Sequence, residues 1–112
     1  MPALTRRRDP DARQETEKWL IFYGDVQAGS IMRAVGNPGA APLWQWHCGF
    51  YPGSRPGECS MGTAPTFDQA RAAFESAWRV FVSRRTEADF EAWRAQRDWT
   101  ERKYAAWAQG PR

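Results

Sequence analysis

Side chains that bind metals or act as nucleophiles are scarce in this chain of 112 residues. It has one histidine and two cysteines, and His47 and Cys48 are neighbours in a predicted strand, so their side chains point to opposite faces. No Cys-x-x-Cys pair occurs, whereas a structural zinc ion requires four nitrogen or sulfur ligands. No glycine-rich phosphate loop opens a helix. We therefore expect no metal, no cofactor and no enzymatic activity.

Long apolar runs are also absent. The longest, Trp19–Tyr23, has five residues, far fewer than the about 20 that a transmembrane helix requires. The segment Met1–Lys18 is polar and lacks the apolar centre of a secretory signal. We therefore expect a cytoplasmic protein that does not bind a membrane. In that compartment Cys48 and Cys59 are expected to stay reduced, and the sequence leaves open whether they ever pair.

Charge of one sign is not concentrated anywhere. Sixteen Lys and Arg residues face thirteen Asp and Glu residues, and residues 1–17 alone carry four arginines and four acids. Bases interleaved with acids are typical of solvated helices, whereas a phosphate-binding surface concentrates bases. Because the bases are not concentrated, we expect a protein partner first and take nucleic acid as the alternative partner. Its contacts would come from arginines near the N-terminus, in the second strand and between the two predicted helices: Arg6, Arg7, Arg8, Arg33, Arg84 and Arg85.

Aromatic residues, in contrast, are plentiful, with seven Trp, six Phe and three Tyr. Trp44 and Trp46 are two residues apart, and strand side chains alternate with a period of two. Both indoles therefore point to the same side of a strand over Leu43–Phe50. We expect this side to carry much of the core, because large aromatic side chains bury the most surface.

Two further strands precede the aromatic strand. Trp19–Tyr23 predicts the first, and Val26–Val35 predicts the second, with a bulge at Gly29. Gly36–Gly39 predicts a loop, and a short fourth strand is possible near Ser60–Ala64. Because short links join neighbouring strands, an antiparallel meander is expected.

Two helices follow the strands. Thr66 and Gln69 form a capping-box pattern that opens a helix ending near Arg84. Its apolar residues fall within a sector of roughly 100°, so this helix is expected to cover one face of the sheet. Thr86 opens a second helix that ends near Ala108. These elements predict an α+β fold, in which a three- to four-stranded antiparallel meander is packed by one amphipathic helix and followed by a C-terminal helix.

The second helix cannot bury all of its aromatic residues against one surface. Trp99 falls about 180° from Phe90, so Trp99 is either exposed or covered by something else. The chain is divided into a flexible arm at 1–17, which lacks any apolar period, and one α+β domain at 18–112.

Protein–protein binding is the leading functional hypothesis. If Trp44 and Trp46 face the first helix, the opposite face of the sheet carries Gln45 and His47, with Arg33 a further candidate there. That face would need cover from the second helix, a second copy or a partner. The predicted contact residues are Gln45, His47, Arg55 and Trp99. A small inhibitor or antitoxin-like role is a further alternative.

Two motifs carry a resemblance to a known group. Trp44-x-Trp46-x-Cys48-Gly49-Phe50-Tyr51-Pro52-Gly53, followed by Gly62-Thr63-Ala64-x-Thr66-Phe67-x-x-Ala70-Arg71, resembles a group of small uncharacterised bacterial proteins. The resemblance covers roughly Trp19 to Trp107 and leaves out the arm. It implies an intact bacterial domain, and it transfers no catalytic or binding residue because no activity is known for the group.

Overall fold

A computed structural model describes residues 3–10, 17–34 and 43–109. Five strands and two helices follow one another along the chain: β1 Leu4–Arg8, β2 Lys18–Tyr23, β3 Val26–Ala34, β4 Leu43–Cys48, β5 Ser60–Ala64, α1 Phe67–Ser83 and α2 Glu87–Ala108. The strands form one antiparallel sheet in the order β1-β2-β3-β4-β5. The predicted α+β meander is confirmed, with five strands instead of three or four. The predicted loop at 36–39 lies outside the described residues.

The two tryptophans of β4 share the face of the sheet that α1 covers, as predicted. Trp46 lies opposite Ile31 of β3 and Gly62 of β5, and directly opposed residues share a face. The Trp44 ring lies 5.2 Å from the ring of Phe67 in α1. We call this side of the sheet the inner face.

Helix α1 begins at the predicted cap and buries one stripe on the inner face. The Gln69 backbone N–H donates to Thr66 Oγ1 at 3.1 Å, which satisfies one of the free donors at a helix start. The Thr66 hydroxyl also donates to Gln69 Oε1, so the amide side chain accepts from the hydroxyl. The buried residues of α1 recur every three or four positions, as an amphipathic helix requires: Ala70, Phe74, Trp78 and Phe81.

The predicted bulge at Gly29 is confirmed. Ile21 pairs with Gly29 and the next residue, Phe22, pairs with Gln27, so Ala28 is the extra residue of β3. A Cβ atom at Gly29 would lie 2.0 Å from the His47 carbonyl oxygen and 2.7 Å from the Phe74 ring. Only glycine therefore lets β3 approach β4 and α1 this closely.

The arm prediction is wrong for residues 4–8, which form β1 at the edge of the sheet beside β2. The strand is held by its ladder with β2, and the Arg6 guanidinium lies over the Trp19 ring at 4.5 Å from the centroid. The groups that stabilise β1 lie on β2. Residues 4–8 themselves show no alternation of apolar and polar side chains, which is why the sequence did not predict a strand there. The part of the predicted arm at 11–16 lies outside the described residues.

Among the described residues, the contacts that attach helix α2 to the domain come from its first half. Its capping box is complete, because Asp89 N–H donates to Thr86 Oγ1 and Thr86 N–H donates to Asp89 Oδ2. The Phe90 ring stacks on Tyr23 at 6.0 Å, and Trp93 packs against the core. Residues 101–109 are all exposed. Neither α1 nor α2 has the combination of length and apolar composition that crossing a membrane demands.

Candidate functional site

The sheet face opposite α1, which we call the outer face, is not covered by either described helix. Alternation along each strand assigns its residues. One cross-strand row joins Arg7, Leu20, Ser30, His47 and Met61, and a second joins Lys18, Met32, Gln45 and Thr63. Phe22 and Leu43 lie on the same side. The outer face therefore mixes apolar and polar side chains.

Two apolar side chains of the outer face are exposed to solvent. Met61 is 71% exposed and Leu43 is 43% exposed, whereas the inner-face residue Ile31 is fully buried. Among the residues described, both helices make their core contacts on the inner face or at the β2–β3 turn. Contiguous exposed apolar patches larger than a few hundred Å² are what marks an interaction site on a monomer.

Gln45 and His47 lie on β4 within the outer face, where the sequence predicts them. His47 is exposed between Ser30 and Met61, and Gln45 is half-buried between Met32 and Thr63. Arg33 does not join them. It pairs with Trp44 and therefore lies on the inner face, because directly opposed residues point the same way.

Arg55 lies in a loop that is tied to the junction of the two helices by Arg85. The Arg85 side chain is only 3% exposed and donates to the Glu58 carboxylate, to the Gly53 carbonyl oxygen and to the Phe81 carbonyl oxygen. Glu58 Oε1 also accepts from the Arg55 backbone N–H at 2.6 Å. That backbone hydrogen bond, followed by the Arg85 guanidinium, lowers the pKa of Glu58 below its usual range. The loop is thereby held in place while the Arg55 side chain stays exposed.

A polar cleft of about 490 Å³ lies beside the ion pair of Arg85 and Glu58. Its lining comes from the loop and from the junction of the helices: Gly53, Ser54, Arg55, Glu58, Arg84, Arg85, Thr86 and Asp89. The charged groups partly neutralise one another, because Arg85 pairs with Glu58 and lies 3.8 Å from Asp89. Both hydroxyls of the lining bond to backbone: Ser54 Oγ donates to the Phe50 carbonyl oxygen, and Thr86 Oγ1 accepts from the Asp89 N–H.

The arginines predicted to contact nucleic acid fall into two groups. Arg6 and Arg8 lie over the Trp19 ring, and Arg7 lies over the Phe22 ring. These three and Arg33 are exposed, and none forms a salt bridge with a carboxylate in the described ranges. Arg84, in the second group, is exposed as well. The guanidinium of its neighbour Arg85 donates to acceptors of the protein itself, and this geometry does not favour a contact between Arg85 and a phosphate.

The cysteines lie near each other but in different surroundings. Cys48 is 2% exposed, and burial raises the pKa of its thiol to about 12. Cys59 is exposed, with Sγ 3.7 Å from Ser54 Oγ. His47 points to the outer face and cannot serve Cys48 as a base. Within the described part of the chain, no three His, Cys, Asp or Glu side chains gather as metal ligands would.

Trp99 lies on the second half of α2, two residues after Arg97, which donates to Asp25. Its ring is 53% exposed, and the Lys103 ammonium lies 5.2 Å from the ring centroid. Tyr104 and Trp107 on the same half are 68% and 77% exposed. The sequence pattern places Tyr104 and Trp107 on the same side of the helix as Phe90, but it did not identify them as contact residues. Their spacing of three positions, which places both on one side of the helix, was the available signal.

Comparison of the chain with protein-family models, with curated proteins and with solved structures finds no match.

Proposed function

We propose that this chain is a non-enzymatic protein-binding module that contacts its partner through the outer face. The observation that carries the proposal is the uneven cover of the sheet: α1 covers the inner face, while Met61 and Leu43 on the outer face stay open to solvent. Burying apolar surface is the main favourable term in protein association. The proposed role does not distinguish an adaptor from an inhibitor or an antitoxin-like protein, since each would use the same surface.

The size and chemistry of the outer face support this role. Five strands about 4.8 Å apart and about six residues long give a face of roughly 400 Å², which apolar and polar side chains share. Gln45, His47 and Thr63 lie among the apolar groups and offer hydrogen-bond donors and acceptors for orientation. Polar groups set within an apolar patch are typical of protein interfaces.

Arg55 and Trp99 are proposed as outlying contacts. Both side chains are exposed, and Trp and Arg are enriched among the residues that contribute most to binding. We also propose a cytoplasmic location, which the two free thiols of Cys48 and Cys59 support.

Affinity capture with the full chain as bait tests the proposal. Three baits are compared after nuclease treatment: the wild type, Met61→Arg on the outer face and Val80→Arg on α1. Val80 is the matched control because it is 54% exposed on a different surface. We expect the wild type and Val80→Arg to capture the same protein and Met61→Arg to lose it. Equal capture by all three baits would contradict the proposal.

Nucleic-acid binding is the second candidate, favoured by Arg6, Arg7, Arg8 and Arg33, which form no salt bridge with a described carboxylate. Single-stranded nucleic acid can bind to a surface that combines arginine and tryptophan side chains. Fluorescence anisotropy with a labelled single-stranded oligonucleotide tests it. Replacing Arg6 and Arg8 with Gln should weaken binding and reduce the slope of log affinity against log salt by about 1.4. Arg79→Gln, an exposed site on α1, should have little effect, and no binding at low salt would exclude this function.

A further inference from the structure

A crevice lies on the inner face, between α1 and the first two strands. Helix α1 packs against β3, β4 and β5, but in the described part of the chain its backbone does not come close to β1 or β2. Side chains bridge only part of this gap, where the rings of Trp19 and Phe67 meet edge to face with their centroids 6.5 Å apart. The space that remains is a cavity of about 250 Å³.

The deep part of the crevice is apolar. The buried members of its lining are Ile21, Ile31 and Phe74, and the half-buried side chains of Leu4 and Phe67 lie beside them. None of these side chains carries a hydrogen-bond donor or acceptor. A molecule that enters the crevice therefore gains free energy by burying an apolar body there.

The charged members of the lining lie at the rim of the crevice. Arg6 and Arg71 are exposed, and Glu75 is half-buried. Arg71 Nε lies 3.9 Å from Glu75 Oε1, so these two charges largely offset each other. Arg6 forms no salt bridge with a carboxylate in the described ranges. The rim therefore carries one excess positive charge, and that charge belongs to Arg6.

Arg6 is held by aromatic rings in a way that leaves its hydrogen-bond donors available. Its Cζ atom lies 4.5 Å from the Trp19 ring centroid and 5.0 Å from the Phe67 ring centroid. A guanidinium stacks on aromatic rings through its flat face, whereas its five N–H donors lie in its plane. The stacking therefore positions Arg6 without using the paired donors that bind a carboxylate.

We propose that the crevice binds a small monocarboxylate with an apolar body, whose carboxylate pairs with Arg6 and whose body lies against Ile21 and Phe74. One excess positive charge at the rim complements one negative charge, and the apolar lining disfavours a second charge deeper in the crevice. The volume limits the size of the ligand. One water occupies about 30 Å³ in the liquid, so the cavity has room for about eight non-hydrogen atoms, the size of hexanoate. This site lies on the inner face and is independent of the outer face.

Titration of the full chain with hexanoate, followed by two-dimensional NMR at constant ionic strength, tests the proposal. We expect saturable shifts at the Arg6 amide and the Trp19 indole N–H, with half-saturation near about 1 mM. Hexanamide has the same shape without the charge, and it should bind at least about tenfold more weakly. Equal binding of the amide, or no saturable shift at these two groups below about 50 mM hexanoate, would overturn the proposal.

Arg6→Gln and Arg7→Gln are a matched pair of variants. Arg7 follows Arg6 in β1 and carries the same charge, and its Cζ lies 4.9 Å from the Phe22 ring centroid, but on the outer face. We expect Arg6→Gln to weaken hexanoate binding by about tenfold or more and Arg7→Gln to weaken it by less than about twofold. Equal weakening by both variants would show diffuse attraction to the arginine-rich strand and would overturn the site.

Glu75→Gln tests the same site by a gain of affinity, so its result does not depend on whether Arg6→Gln loosens β1. Removing the negative charge from the rim frees Arg71 and should strengthen hexanoate binding by about two- to fivefold. Glu101→Gln on α2 is the control, because Glu101 is exposed and does not line the crevice. Unchanged or weaker binding by Glu75→Gln would overturn the placement of the carboxylate at this rim.

Discussion

Arg94 holds Asp25 through three hydrogen bonds: Nε donates to Oδ2 at 3.0 Å and to Oδ1 at 3.3 Å, and Nη2 donates to Oδ1 at 3.1 Å. Arg97 Nη1 donates to the same Asp25 Oδ2 at 3.0 Å. One carboxylate in the β2–β3 turn therefore binds two arginines one turn apart on α2. This fork determines the direction in which the second half of the helix leaves the domain, because two-point contacts restrict orientation.

The Asp25 contact should make stability depend on pH. The hydrogen bond from Arg94, and then that from Arg97, lowers the pKa of Asp25 below its usual 3.8. As the pH falls, the unfolded chain binds this proton first, so the stabilisation is present above the usual pKa and is lost as the pH falls through the folded pKa.

Asp25→Asn should therefore unfold at a lower urea concentration than the wild type near neutral pH, and the difference should shrink as the pH falls below the usual pKa of 3.8. Glu87→Gln is the control, because Glu87 also approaches Arg94, at 3.6 Å, but is 83% exposed. A constant difference between Asp25→Asn and the wild type at every pH would contradict the role of this carboxylate.

Gly29→Ala should destabilise the fold by about 2–4 kcal/mol, because the new Cβ would collide with the His47 carbonyl oxygen, and backbone cannot move aside as a side chain does. Gly57→Ala is the matched control: Gly57 has a φ of +86° but no atom within 4 Å of its Cβ position. Its cost should be limited to about 1–2 kcal/mol of backbone strain. Urea unfolding measures both, and equal losses would refute the steric explanation.

Arg85→Ala should cost about 2 kcal/mol or more, because the Gly53 carbonyl and the Glu58 carboxylate would lose a buried donor. The adjacent Arg84→Ala should change the free energy of unfolding by less than about 0.5 kcal/mol, since Arg84 is exposed. Hydrogen exchange should show the loop at 50–59 opening in the first variant alone. A loop equally protected in both variants would show that Arg85 does not hold it.

The two thiols should differ in reactivity. Burial and a pKa of about 12 leave the Cys48 thiol protonated at neutral pH, and the thiolate is the reactive form. A thiol reagent should modify Cys59 in the folded chain and both cysteines after unfolding in urea. Rapid modification of both in the folded chain would contradict the burial of Cys48.

The sequence predicted those elements whose signals are local. The spacing of Trp44 and Trp46 identified the inner face, and the hydroxyls of Thr66 and Thr86 marked the starts of both helices within one residue. Each of these signals lies within a few residues of the feature it determines. The two face assignments of Gln45 and His47 followed from the same alternation.

Features that depend on distant partners were missed. β1 is stabilised by Trp19 and Phe22 of the neighbouring strand, so its own arginine-rich sequence resembled a free arm. Arg85 was taken for a surface cation because its partner Glu58 is 27 positions away in the sequence. Arg33 was named as a further candidate for the outer face, but its pairing with Trp44 places it on the inner face.

Site-specific photo-crosslinking tests most directly whether the outer face is the contact surface. A benzophenone amino acid is placed at position 61 on the outer face or at position 80 on α1, both of which are exposed, and the chain is irradiated in cells of its source. We expect covalent adducts with protein, either a second copy or another chain, from position 61 and none from position 80. Adducts from position 80 without any from position 61 would contradict the assignment of the outer face.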